Sequence, residues 1–169
     1  MNERLSASLS VGATSGALLV VPGAFVYLTG LPFLFPSLGP SAFVLAMSPD
    51  SATAAPRRVL GGHAIGVLAG MATYHLLAEG AVATSVGGST AALALVASGS
   101  LALVLTAVGM VATDTRHPPA CATTLIVSLG LLTTPIEGVV IVLAVASLLV
   151  AHRLTQPLRP LGTRVQPGE

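Results

Sequence analysis

The chain has 169 residues, 53% hydrophobic and only 8% charged, with a formal net charge of +1 and a mean hydropathy of +0.90. Soluble domains carry roughly a quarter charged residues, so this composition excludes a soluble globule and points to an integral membrane protein forming one bundle. The single cysteine, Cys121, excludes an internal disulfide, and the scattered arginines offer no patch for nucleic acid.

Taken in order, the first apolar run follows Arg4 and extends to Thr29. A signal-peptide core is typically about 7–15 residues, so this run reads as a retained span over about 8–29. A spanning helix needs roughly 20 apolar residues, and the stretches 59–78 and 90–112 meet that requirement. A fourth, 135–151, is shorter and carries Glu137 at its start. Two apolar segments between them, 31–48 and 118–132, are broken by proline. The residues from 156 to 169 form a polar, proline-rich tail after a transmembrane domain over 1–155.

The two broken segments correspond. An offset of 79 residues brings Pro40 onto Pro119, Pro56 onto Pro135 and Gly30 onto Gly109. The matched order makes this an internal duplication, with repeat one at about 8–78 and repeat two at about 87–157. The expected fold is an all-α integral membrane bundle of two tandem repeats, each with two spanning helices flanking a proline-broken half-helix. If both broken segments cross, the chain makes six crossings. All seven arginines (Arg4, Arg57, Arg58, Arg116, Arg153, Arg159 and Arg164) then share the cytoplasmic side with both termini. If the segments are re-entrant, four helices span and the arginines divide between the faces. The positive-inside bias favours six crossings of the cell membrane, and three crossings per repeat would make the repeats inverted.

Small residues recur every four positions at Gly12 and Gly16, and at Gly62, Gly66 and Gly70. Such stripes let backbones approach in lipid, within a bundle or between the protomers of a homo-oligomer.

Proline lacks an N–H, disfavours helix just before itself and sits well in a helix's first turn. Pro40 and Pro119 therefore read as helix starts preceded by extended backbone. In the inverted arrangement the two N-termini face each other near the midplane, where free amides favour a small anion. Ser37, Gly39 and Ser41 add small polar groups and backbone access in the first repeat. Beside Pro118, the donors His117, Thr123 and Thr124 do so in the second. His117 either donates to an anion or fixes a carbonyl freed by the prolines. His63 either faces the pathway or pairs near the interface, and Asp114 and Arg116 pair locally or gate the mouth. His75 and Glu79 have the spacing of a local pair, and Glu137 reads as a snorkelling carboxylate. Four histidines without ligand-like spacing, a lone cysteine without a base and the lack of a phosphate-binding loop give no reason to expect a metal, a cofactor or an enzyme.

Arg116-His117-Pro118-Pro119-Ala120 after a long apolar helix resembles the signature of the HPP family of integral membrane proteins. Gly39-Pro40-Ser41-Ala42, the loop from Pro49 to Pro56-Arg57, and Gly61-Gly62-His63 resemble that family's first half. The resemblance covers about residues 10–153, with Cys121 standing where a small residue such as glycine is expected. It implies a bundle usually described with four transmembrane helices, some of whose members are associated with nitrite transport. The leading expectation is thus a transporter or channel for a small, nitrite-like inorganic anion. The alternative is a membrane-embedded structural or sensory module partnering a soluble regulator.

Overall fold

The first apolar run folds as two helices, α1 (Asn2–Leu18) and α2 (Val20–Thr29), separated at Leu19. Pro22 accounts for the break. It has no N–H to give to the Leu18 carbonyl, and its ring crowds that carbonyl. The backbone resumes at once, with the Gly23 N–H bonded to Leu19 O at 2.9 Å, so α1 and α2 form one interrupted span. Gly30 ends it in the left-handed region (φ 69°), where lacking a Cβ removes the penalty, and its N–H caps Val26 O.

This computed structural model describes residues 2–84 and 87–156. The expected tail lies outside the described residues from 157 onward, with Arg159 and Arg164. The described residues contain seven α-helices and no strand. After α2 come the short α3 (Leu38–Met47), a 3₁₀ turn (Ala52–Ala54) and α4 (Pro56–Leu77). Then follow α5 (Thr90–Ala112), the short α6 (Ala120–Ser128) and α7 (Pro135–Thr155). Four segments are long and apolar enough to span: Glu3–Thr29, Pro56–Leu77, Thr90–Ala112 and Pro135–Thr155.

Local chemistry explains the starts. Pro56 and Pro135, paired by the 79-residue offset, both stand in the first turn of a long helix after an extended residue. At α7 a capping box closes. Thr134 Oγ1 accepts from the Glu137 N–H at 3.2 Å while Glu137 Oε2 accepts from the Thr134 and Thr133 N–H groups, each at 2.8 Å. Glu137 is therefore a cap and not the free snorkelling carboxylate expected from its position.

The two half-helices start slightly differently from expectation. Pro40 is the third residue of α3, and Pro119 immediately precedes α6. The residues just before each helix are turns with right-handed backbone at Ser37 and Pro119, and the non-helical stretches lie further back, at 32–35 and 115–117. A turn is favoured there because it satisfies the amides that a helix leaves orphaned at its start. Leu38 N bonds Phe35 O at 3.0 Å, and Gly39 N bonds Pro36 O at 3.3 Å. Likewise Ala120 N bonds His117 O at 2.9 Å, and Cys121 N bonds Pro118 O at 3.0 Å. The free amides expected at these N-termini are thus already occupied.

Helix α4 is the hub and packs against α5, α6 and α7. Its glycine stripe faces α6, within the chain. A Cβ added at Gly62 would lie 3.2 Å from His117 Cβ, one at Gly66 3.0 Å from Ala120 O, and one at Gly70 2.8 Å from Val127 Cβ. The segment from 115 to 130 consequently follows α4 from its arginine end, where Thr115 meets Gly61, to its far end, where Gly130 packs against Tyr74 and Ala81. Helix α7 starts at that far end, with Gly138 against Met71 and Val67.

The outer surface is apolar, as lipid requires. Tyr27, Leu76, Leu93, Val104, Val111 and Ile136 are among many large exposed hydrophobic residues. Buried positions instead include serine, threonine and histidine. The α4–α6 contact should therefore be intolerant of a single methyl group. Gly70→Ala, which drives a Cβ against Val127 and the Thr124 carbonyl, should cost about 1–3 kcal/mol of overpacking. Gly12→Ala, where nothing lies within 4 Å, should be neutral or stabilising by about 0.5–1 kcal/mol. Thermal unfolding in detergent checks the contrast.

Candidate functional site

Five buried polar side chains from four parts of the chain meet between α3, α4 and α6. They are Ser37 and Ser41 around the start of α3, His63 on α4, His117 before α6, and Thr123 on α6, all with 0% exposure. Serine and threonine reach one another here because Gly62 and Gly66 let α6 lie directly on α4. Ser37 Oγ and Thr123 Oγ1 share a hydrogen bond of 2.6 Å, and Thr123 Oγ1 lies 2.7 Å from His63 Nδ1. Ser41 Oγ sits between the two rings, 3.0 Å from His63 Nε2 and 3.1 Å from His117 Nε2. The ring centroids are 5.3 Å apart. His117 Nδ1 donates to the Thr53 carbonyl at 2.8 Å, which ties the ring to the 3₁₀ turn before α4.

Ionisable and hydroxyl groups withdrawn from water are costly unless paired, and here each one is paired. The carbonyl that His117 fixes is that of Thr53, in the turn before α4, and not one freed by the neighbouring prolines. The Nε2 of His117 faces the interior of the cluster. His63 lies inside the cluster and does not pair at an interface.

A charged knot closes the arginine end. Just past the end of α5, Asp114 lies in the left-handed region (φ 52°), and the Thr115 N–H bonds back to Met110 O at 2.9 Å. Glycine usually takes that place; aspartate tolerates it and brings a carboxylate among three arginines. Arg58 donates to both Asp114 oxygens, at 2.9 and 3.0 Å, and Arg116 to one at 2.8 Å. Arg57 lies 4.0 Å from the same carboxylate and donates to Thr113 O. The hydrogen bonds from Arg116 and then Arg58 lower the Asp114 pKa below its usual value. The ionised carboxylate is favoured in the folded state, so the knot is intact at neutral pH and is lost only as acid passes through that lowered value.

A second set of hydroxyls leads away along α6. Thr124 Oγ1 and Thr106 Oγ1 are 2.9 Å apart, and Ser98 Oγ donates to Thr73 Oγ1 at 3.2 Å and to Ser128 O at 3.0 Å. Ser128 Oγ is buried with no partner.

Among the expected site residues, Ser37, Ser41, His63, His117 and Thr123 come together. Thr124 turns toward α5, and Asp114 and Arg116 join the knot. Pro40 and Pro118 are exposed, Gly39 is half-buried with open space around its α-carbon, and Pro119 is buried at the α6 cap. The prolines thus shape the backbone without lining the cluster. His75 and Glu79 do pair, at 3.3 Å, on the exposed far end. Thr73, Ser98, Thr106 and Ser128 were absent from the sequence-based set. Their signal was available, since Ser98 and Thr106 are eight residues apart and share one face of an otherwise apolar helix.

Four spanning segments, an apolar exterior and a polar interior define a multi-pass α-helical membrane protein. The family model described as HPP, transmembrane region, matches residues 2–156. The chain belongs to the HPP family. No curated protein and no solved structure matches it.

The cluster's pairing has a measurable consequence. Thr123→Val keeps the side-chain shape but strands Ser37 Oγ and His63 Nδ1, and should lower stability by about 1–3 kcal/mol. Thermal unfolding of the purified protein should register that loss, and an unchanged midpoint would mean the hydroxyl is dispensable.

Proposed function

We propose that the protein is a transporter or channel for a small inorganic anion, nitrite-like in size and charge, with its central site at Ser37, Ser41, His63, His117 and Thr123. The observation that carries this reading is the buried pair of histidines held among hydroxyls where two half-helices begin. Ionisable groups inside a membrane bundle are expensive and mark ion or substrate paths by default. Because the helix-start amides are engaged in turns, the donors offered to an anion are side chains. In the knot three guanidiniums surround one carboxylate, and even with Asp50 in the connection before α4 the arginine end keeps a net positive charge that would concentrate anions. From the cluster, the hydroxyls of Thr124, Thr106, Thr73, Ser98 and Ser128 supply polar steps toward the opposite end.

In this reading both broken segments cross the cell membrane, the repeats are inverted, and both termini are cytoplasmic. The course of 115–130 along α4 supports a crossing for the second segment. The side chains Ser37 and Ser41 lie beside Thr123 and His117 respectively, which supports α3 running opposite to α6. In a homo-oligomer a second copy would pack against the apolar outer face. A membrane-embedded structural or sensory module is the second reading, favoured by the cluster's closure on itself.

Flux separates the two. Purified protein in liposomes should carry nitrite, nitrate, formate or a halide faster than protein-free liposomes do. His117→Ala, with the protein still assembled, should reduce that flux about tenfold or more by stranding buried partners. No flux for any of these anions would leave the structural module standing.

A further inference from the structure

Proton accounting in the cluster has a definite solution. The Thr53 carbonyl can only accept, so His117 Nδ1 carries a hydrogen. In a neutral ring Nε2 is then a lone pair and must accept from Ser41. That uses Ser41's single proton, so Ser41 Oγ accepts from His63 Nε2–H. His63 Nδ1 becomes the lone pair and accepts from Thr123, which in turn accepts from Ser37. Each of these five contacts carries one hydrogen, directed from Ser37 toward Thr53, and the contact of Ser41 Oγ with the Ser37 carbonyl carries none.

The same atoms fit one more proton. Ser41 Oγ also lies 3.0 Å from the Ser37 carbonyl. If His117 Nε2 gains a hydrogen, it donates to Ser41 Oγ, and the Ser41 hydroxyl rotates to donate to Ser37 O. No heavy atom has to move, and no buried donor is orphaned.

We propose that Ser41 is a proton switch between His63 and His117, and that the site takes its monovalent anion together with one proton. The inference rests on the transport reading above. A bare anion in a site without a fixed cation is strongly disfavoured; an imidazolium at His117 balances it. A second proton on His63 would set like charges about one ring apart, which burial penalises, so the site takes a single proton. The titratable and charged groups around His117 are few. Helix α4 presents His63, with Arg57 and Arg58 at its start. The connection before α4 carries Asp50, the stretch before the ring carries Asp114 and Arg116, α6 carries Cys121, and α3 carries none. Asp114, Arg57, Arg58 and Arg116 engage one another and the Thr113 carbonyl in the knot. The proton comes from water on the side of entry, binds the His117 Nε2 lone pair, and returns to water on the other side as the anion leaves.

The test has two arms on the full chain. In liposomes, with nitrate as probe and an internal pH dye, the wild type should acidify the lumen by one proton per nitrate. A potassium-diffusion potential should leave that uptake unchanged. Uptake driven by the potential without lumen acidification would overturn the switch while keeping transport. In the second arm, ¹⁵N spectra of histidine-labelled protein should give the Nδ1–H tautomer for His117 and the Nε2–H tautomer for His63. Acidification should doubly protonate His117 first. The Nε2–H tautomer at His117, or first protonation of His63, would overturn the switch whatever the flux. Should nitrate, nitrite, formate and halides all fail to move, the coupling falls with the transport reading, even with the expected tautomers. Ser41→Ala, a smaller change than removing a ring, should abolish the ordered pair of tautomers and cut proton-linked nitrate uptake about tenfold or more. An unchanged spectrum and uptake in that variant would also overturn the proposal.

Discussion

The close approach of α4 and α6 is the constraint on which the rest of the structure depends. Helix α6 has nine residues, too few to span a bilayer and too few to be stable alone. It is held because Gly62, Gly66 and Gly70 remove the side chains that would keep it away. In lipid no hydrophobic force drives two helices together, so close packing and interhelical hydrogen bonds must do so. The glycine groove supplies the first and makes the second reachable. With α6 at ordinary helix spacing, His63 would not reach Thr123, nor would Ser41 bridge two imidazoles.

That geometry links the broken helices to the chemistry. The prolines stop α3 and α6 from being continuous spans, and the turns ahead of each helix use up the amides the break would otherwise expose. Polarity at the break is therefore concentrated in side chains. A hydroxyl between two imidazoles can reverse its direction at little cost, whereas a backbone amide cannot. The charged knot fixes the start of α4 and the end of α5 to each other. It holds the 115–117 stretch, and so His117, at a defined distance from Thr53.

Much of the fold was legible in the sequence, because lipid imposes a simple grammar. Long apolar runs gave the spans, and the 79-residue offset paired Pro56 with Pro135, both of which prove to start long helices. Two local signals carry more than the span pattern shows. Thr134-Pro-Ile-Glu137 is a capping-box pattern, and Pro22 announces the interruption at Leu19. The site was legible only by residue type. Ser37 and Thr123 are 86 positions apart, and no periodicity reveals that they touch. Nor does a proline motif reveal whether the amides beside it are free, since that depends on the torsion angles of the preceding turn. The histidine of Arg116-His117-Pro118-Pro119 was visible as a candidate, whereas its partnership with His63 needed the glycine groove to be seen in three dimensions.

The most direct measurement is an X-ray structure of the protein in a lipid phase at saturating nitrite. The account requires the anion within hydrogen-bonding distance of Ser41 and His117, with the contact between Ser37 and Thr123 opened to admit it. Nitrite bound only at the arginine end, or a cluster unchanged with no anion inside, would contradict it.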